Sequence, residues 1–297
     1  MALRLLVQHA ANAIALGSAY GMIALGYTIV FGILGLVNMA HGDLCMLASF
    51  LATWGVLVWT LPLPASLALA AIITIVAGVT IERVAYKPLR AYPVSQLTSA
   101  MAISVFLQNF VTVVFSPKHK VFPIPAVLTR VLHIADIAVP VATLFIIAAC
   151  AILLVLLAYV VTRTKFGRAM RSISEDPEVT QLMGVDINRA ISYSFALSTA
   201  FAVAGGFMWA LKFPKVYPLF GVMPGLKAFV GAVVGGVGSI PGALLGGFVL
   251  GFAEIMFMAL APHLSRWRDV FVYVVLILFL LFRPGGLFNV SVREEKV

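Results

Sequence analysis

Apolar runs of bilayer length recur along this chain, separated by short polar breaks. A hydrocarbon core about 30 Å thick takes roughly 20 helical residues to cross. With no water in that core, each backbone amide must be satisfied within the segment or by a closed barrel. None of the runs alternates in polarity residue by residue, as barrel strands do, so helices remain. Hydrophobic residues make up 62% of the 297 positions and charged residues 10%, and mean hydropathy is +1.09. Such a chain has too little polar surface for a soluble globule. The expected fold is all-α, a polytopic membrane helix bundle of about eight transmembrane helices, with broken helices in each half. It forms a single integral membrane domain over residues 1–297.

The expected spans are 10–34, 44–61, 65–85, 97–115, 139–161, 190–211, 228–260 and 270–282. The first run is far longer than a signal-peptide core and leads straight into further spans, so it reads as retained structure. Cys45 and Cys150 sit in apolar runs with neither metal nor disulfide spacing and read as buried packing residues. The net charge of +9 does not point to nucleic acid. The basic residues cluster beside span ends, where positive charge sets orientation and meets lipid head groups.

Segments 82–93 and 162–189 carry Arg83, Lys87 and Arg90, and Arg163, Lys165, Arg168, Arg171 and Arg189. Two spans separate them, which puts both on the cytoplasmic side. The proline-rich stretch 116–138 then faces out as a short ordered loop. Counting places the N-terminus outside, whereas Arg4 argues for an inward start; both stay open.

Glycine and polar residues interrupt two runs in matching fashion, at 32–43 and 231–242. Paired breaks of this kind line the path in transporters built from repeats. In the first, Asn38 and His41 share a helical face that Tyr20, Ala24, Tyr27 and Phe31 continue upstream, and Asp43 is positioned to cap the next helix. These residues read either as the wall of a pathway or as groups that satisfy a helix end. In the second, Ser239 and Pro241 suit the first turn of a restarted helix. The glycines around them have small-xxx-small spacing for close helix packing. Glu254 stands inside an apolar run, a costly position unless paired, protonated or facing water.

The charged interruption at 162–189 contains a strong helix start at Asp176-Pro177-Glu178: a capping carboxylate, proline at the first position and a second acid near the positive helix end. Gly184 stops this helix, and Asp186 can cap the next span. The segment reads either as a loop lying on lipid or as a rigid knob that inserts into a soluble partner and carries its motion to the attached helices.

The chain resembles the permease subunits of ATP-binding-cassette importers for branched-chain amino acids. The resemblance rests on residues 17–32, on Val37-Asn-Met-Ala-His-Gly-Asp43, on Gly167-Arg-Ala-Met-Arg171 with Ser174-Glu-Asp-Pro177 and Leu182-Met-Gly184, on residues 235–242 and on Phe282-Arg-Pro-Gly-Gly-Leu-Phe288. These pieces follow the family's order across nearly the whole chain. The resemblance implies a bacterial inner-membrane permease subunit, paired with a second homologous permease. It further implies two cytoplasmic ATPase subunits and an extracytoplasmic binding protein as partners. Glu175 to Gly184, including Asp176, Pro177 and Glu178, then resembles the ATPase-coupling helix, with Gly167, Arg168 and Arg171 leading into it. Thr180 stands where the family commonly has alanine, and Asn289 where the closing motif often has glycine.

The chain lacks a Gly-x-x-x-x-Gly-Lys-Ser/Thr phosphate loop, so ATP would be used by partner subunits, and no cofactor or metal is expected on this chain. The substrate path is expected to involve Tyr27, Phe31, Asn38, His41, Asp43, Ser239 and Glu254. An importer of urea, short amides or another small neutral solute, an ion-coupled carrier using Glu254, and a non-transporting membrane anchor stand as alternatives.

Overall fold

The computed structural model of the chain describes residues 2–35, 38–90, 92–134, 137–283 and 285–288; Val37 of the first break and Pro284 and Asn289 of the closing motif lie outside them. Its helices are α1 (Ala2–Leu34), α2 (His41–Leu57), α3 (Leu63–Ile81), α4 (Pro93–Phe115), α5 (Val141–Arg163), α6 (Lys165–Glu175), α7 (Pro177–Leu182), α8 (Ile187–Lys212), α9 (Val222–Gly235), α10 (Ile240–Leu260) and α11 (Arg268–Phe282). A π turn at Glu82–Tyr86 and a 3-10 turn at Lys87–Leu89 prolong α3 toward α4. Strands β1 (Lys120–Val121) and β4 (Lys215–Val216) pair antiparallel, with Lys120 opposite Val216. A hairpin of β2 (Val131–Ile134) and β3 (Ile137–Pro140) places Val131 opposite Pro140.

The expected count of about eight spans is corrected. Among the described residues, six helices are long and apolar enough to cross a membrane: Val7–Leu34, Leu63–Leu89, Val94–Phe115, Val141–Arg163, Ile187–Lys212 and Ile240–Leu260. The expected second span is the 17-residue α2 and the eighth the 15-residue α11, roughly 25 and 22 Å long against a core of about 30 Å. The seventh run divides into the 14-residue α9 and the 21-residue α10. Gly236 and Gly238 between them have φ of +105° and +97°, a left-handed backbone that glycine adopts without penalty. Hydropathy counted apolar residues along the chain and did not register that the backbone reverses among them. Gly35, just past α1, also has a left-handed backbone, at φ +68°.

The bundle is arranged around α1. In its most apolar stretch 89% of residues are buried, against 22%, 17% and 17% for the α3, α4 and α5 spans. The outer faces of those three carry Val76, Phe106, Val113, Ile152 and Val155, all exposed, as a lipid-facing surface requires. Gln8 Nε2 donates to the Ala138 carbonyl and Lys212 Nζ to Asn12 Oδ1. These bonds set the first turns of α1 at the same end of the bundle as the 116–140 segment. That end is external if the basic segments are cytoplasmic.

The seam between α1 and α10 is made of glycine. A Cβ built on Gly247 would lie 2.5 Å from Gly21 Cα, and one on Gly17 would lie 2.8 Å from Phe248 Cα. Lipid gives helices no hydrophobic reason to associate, so such close backbone packing is what holds them. Gly247→Val is expected to cost about 1–3 kcal/mol through overpacking. At Gly32 a Cβ would meet nothing nearer than the Gly238 carbonyl at 4.0 Å, so Gly32→Ala is expected to be neutral or to stabilise, by up to about 1 kcal/mol. Thermal unfolding of the detergent-solubilised variants, side by side, checks both.

Candidate functional site

Two short helices begin side by side inside the bundle. The first turn of α2 and that of α9 touch through glycine: a Cβ on Gly42 would sit 2.5 Å from the Gly221 carbonyl oxygen, and one on Gly225 2.9 Å from Gly42 Cα. Over this junction lies a cleft of about 250 Å³ lined by Tyr27, Met39, Gly42 and Asp43, by Met101, Ser104, Val105 and Gln108 of α4, and by Gly221 with Val222, Gly225, Leu226 and Phe229 of α9. Asp43 is buried. One of its carboxylate oxygens accepts from the Ser104 hydroxyl and the other from Gln108 Nε2 at 3.1 Å. Gln108 Nε2 also reaches Ser104 Oγ at 3.1 Å. The starts of helices carry unpaired N–H groups and partial positive charge. The cleft therefore joins a carboxylate, two helix N-termini and an apolar wall, a set suited to a small molecule with both charges and an aliphatic part.

Of the expected path residues, the structure brings Tyr27 and Asp43 to this cleft. Asp43 does not act as the α2 cap; it lies in the first turn and turns sideways to α4. The brace before α2 is Asn38, whose Oδ1 accepts from the Ala40 N–H at 3.0 Å and from the Tyr86 hydroxyl at 2.7 Å. His41 is fully buried behind the cleft, its ring 4.6 Å from that of Tyr27 and its Nδ1 3.4 Å from Ser198 Oγ. Phe31 is half-buried one turn beyond Tyr27 and is not part of the lining. Ser239 lies at the α9–α10 turn and caps α10, accepting from the Gly242 N–H at 3.1 Å. Ser104, Gly221 and Gly225 were not anticipated. The signal for the α9 start was the Pro214, Pro218, Gly221 spacing ahead of an apolar run.

The charged interruption at 162–189 folds as two helices. Thr164 caps α6 by accepting from the Gly167 N–H at 3.0 Å, and Arg171 donates to the Val161 carbonyl. These bonds fold α6 back against the end of α5. Met170 and Ile173 are buried beneath α6 while Arg168 and Arg171 are exposed. Asp176 caps α7, its Oδ1 accepting from the N–H groups of Glu178 and Val179 at 3.0 and 3.1 Å. Pro177 stands in the first turn and Gly184, at φ +84°, ends the excursion. Asp186 then caps α8 through the Arg189 N–H. Thr180 turns inward, its hydroxyl donating to the Asp176 carbonyl, so it leaves the outer face of α7 unchanged. That face bears exposed Val179, Leu182 and Met183, an apolar tip that the charge-led reading overlooked.

Glu254 is not alone. Lys227 Nζ lies 2.7 Å from Glu254 Oε1 and 2.7 Å from Asp269 Oδ1, Arg268 Nε is 3.5 Å from Glu254, and the Tyr20 hydroxyl donates to Glu254 Oε2 at 2.9 Å. Two cations and two carboxylates thus tie α9, α10 and α11 together against α1. The expected span boundary fell one residue after Lys227, which hid the partner. Lys227→Met is expected to destabilise the protein by about 3–5 kcal/mol, because it strips a buried carboxylate of its partner. Adding Glu254→Leu should recover most of that loss, as read by thermal unfolding of the two variants in detergent.

A family profile described as branched-chain amino acid transport system / permease component matches residues 9–280. The high-affinity branched-chain amino acid transport system permease protein BraD of Pseudomonas aeruginosa is 35% identical over 295 residues, covering 95% of each chain. LivH of Escherichia coli K12, a permease protein described in the same terms, is 34% identical over 293 residues, 95% of this chain and 94% of LivH. Among solved structures, PsaBC from Streptococcus pneumoniae in complex with Fab superposes with a TM-score of 0.51 over 92% of this chain and 91% of that one, at 11% identity, a likeness of fold alone. The chain belongs to the family of branched-chain amino acid transport permease components, and is a multi-pass inner-membrane transport subunit rather than a catalytic enzyme.

Proposed function

We propose that this chain is the membrane-spanning subunit of an ATP-binding-cassette importer for branched-chain and other neutral amino acids, and that it acts as a single permease domain with residues 162–189 on the cytoplasmic side. The observation that carries this reading is similarity to BraD and LivH over almost the full length of each. A second homologous permease completes the path, two ATPase subunits dock on the cytoplasmic segment, and an extracytoplasmic binding protein delivers the substrate. ATP is bound and hydrolysed by those partners.

The cleft supplies the chemistry such a substrate needs. Asp43 faces the ammonium group, the N-terminal turns of α2 and α9 face the carboxylate, and Tyr27, Leu226 and Phe229 pass the aliphatic side chain. Phe31, Asn38, His41 and Ser239 serve the path indirectly, by shaping the helices that border it. Glu254 sits in an ion-paired cluster, which favours the importer over an ion-coupled carrier that would need a titratable carboxylate of its own. On the cytoplasmic side, α6 with Gly167, Arg168 and Arg171 leads into the docking knob. That knob comprises Glu175, Asp176, Pro177 and Glu178, the apolar tip of α7, and Gly184. When ATP draws the two ATPases together, the knob moves and the helices switch the side to which the cleft opens, an alternation between two packed states.

The test is purification of the tagged chain from its native genomic context in mild detergent. Recovery of two nucleotide-binding subunits and a sister permease is expected, with hydrolysis stimulated by the amino-acid-loaded binding protein. Recovery of the chain alone, with uptake driven by an ion gradient, would overturn the reading. In the assembled complex, Glu175→Lys with Asp176→Lys should abolish uptake of labelled leucine while membrane insertion is unchanged.

A further inference from the structure

The π turn at Glu82–Tyr86 is bonded on one side to the helix that leaves the cytoplasmic segment and on the other to the break that opens into the cleft. Ser192 Oγ, near the start of α8, donates to Glu82 Oε2 at 2.6 Å. Arg90 bridges the same carboxylate, at Oε1, to Asn188 Oδ1, the latter at 2.8 Å. Glu82 is fully buried. One turn up, Gly78 lets Thr199 of α8 seat directly on the α3 backbone. Tyr86 packs on Phe195 of α8, with ring centroids 5.4 Å apart, and its hydroxyl donates to Asn38 Oδ1 at 2.7 Å. That oxygen also accepts from the Ala40 N–H, immediately before the α2 turn that carries Gly42 and Asp43.

We propose that this elbow is the relay by which motion of the cytoplasmic segment reaches the cleft, and that Glu82, Tyr86, Arg90, Asn188 and Ser192 are positioning residues for the transport step. The proposal rests on the reading that residues 162–189 receive motion from ATPase partners. Four residues separate α7 from α8, which carries Asn188 and Ser192 in its first two turns, so displacement of the knob pulls on the elbow first. The elbow answers at two points of the cleft. Through Tyr86 and Asn38 it shifts the α2 turn; through Arg90 and the connection to α4 it shifts the helix bearing Ser104 and Gln108, the partners of Asp43. Its wide backbone is suited to the task, since π turns carry an extra residue and occur where helices must give locally. A relay of hydrogen bonds with two discrete arrangements is the physical form that such coupling takes.

The test uses the assembled transporter in lipid nanodiscs, with spin labels at Val105→Cys on α4 and at exposed Met223→Cys on α9, one on each side of the cleft; the native Cys45 and Cys150 are buried. The label separation is measured with and without ATP, and labelled leucine uptake per ATP hydrolysed is measured in proteoliposomes. Tyr86→Phe keeps the ring and removes one hydrogen bond. The Asn188→Ala, Ser192→Ala pair removes the two hydrogen bonds from α8 to the elbow and leaves the Glu82–Arg90 pair intact. In both variants hydrolysis should persist while the ATP-dependent change in separation is lost and uptake per ATP falls roughly threefold or more. A purely structural brace would lower stability and leave the nucleotide response in place. A response lost in Glu175→Lys, Asp176→Lys but kept in both elbow variants overturns the relay alone. A separation that ignores ATP in the unaltered transporter, or that responds normally in Glu175→Lys, Asp176→Lys, overturns the coupling-segment reading and the relay with it.

Discussion

Direct approach of one backbone to another along α1 is the constraint from which the remaining architecture follows. In lipid, helices are held by how closely they pack, and α1 offers glycine or small side chains toward three neighbours. Gly17 and Gly21 admit α10, and Gly26 admits both the His41 ring at the start of α2 and the Ser198 carbonyl of α8, whose Gly205 in turn makes room for Ile23. Because α8 also presses Gly206 against the Cys45 carbonyl, α2 is wedged between α1 and α8 and its first turn is fixed at the depth of Tyr27. The Gly42–Gly221 contact then fixes the start of α9 at that same depth. The cleft is the space left where α4, a helix mostly exposed to lipid, approaches this junction without sealing it.

Much of this was legible in the sequence because the relevant physics is local. Asp176-Pro177-Glu178 and Gly184 announce a short capped helix from residue chemistry alone, and the helix starts and stops where those residues say. Ser239 likewise marks the start of α10. The run lengths of α3, α4, α5 and α8 state their span nature directly. What failed to show was anything that depends on how far the chain has travelled through the membrane. Residues 228–260 have the hydropathy of one long span; the break within them at 231–242 was legible, but not that two glycines of positive φ turn the second helix back along the first. α2 and α11 fall short of a full crossing although their residues are as apolar as those of a complete span.

The site was harder to read for a related reason. Asp43 resembles a cap by spacing, but capping is decided by which donors stand nearest, and Ser104 and Gln108 come from a helix sixty residues later. His41 shares a face with Asn38 by spacing, and the structure buries its ring against Gly26, a contact made across to α1. Glu254 looked isolated because its strongest partner is twenty-seven residues upstream on a different helix. In each case the surroundings of the residue are set by a neighbour distant in the chain.

The four-charge cluster of Lys227, Glu254, Arg268 and Asp269 also bears on how the protein is made. An unpaired charge at the centre of a membrane helix costs roughly 2.5–3.5 kcal/mol on insertion scales. α9 and α10 carry one each, and their remaining counter-charges arrive only with the first residues of α11. Released one at a time into lipid, these helices would be poorly retained. Lys227 and Glu254 neutralise one another, so biosynthesis favours holding α9 at the insertion machinery until α10 has been synthesised, and Arg268 with Asp269 of α11 then adds a second neutral pair.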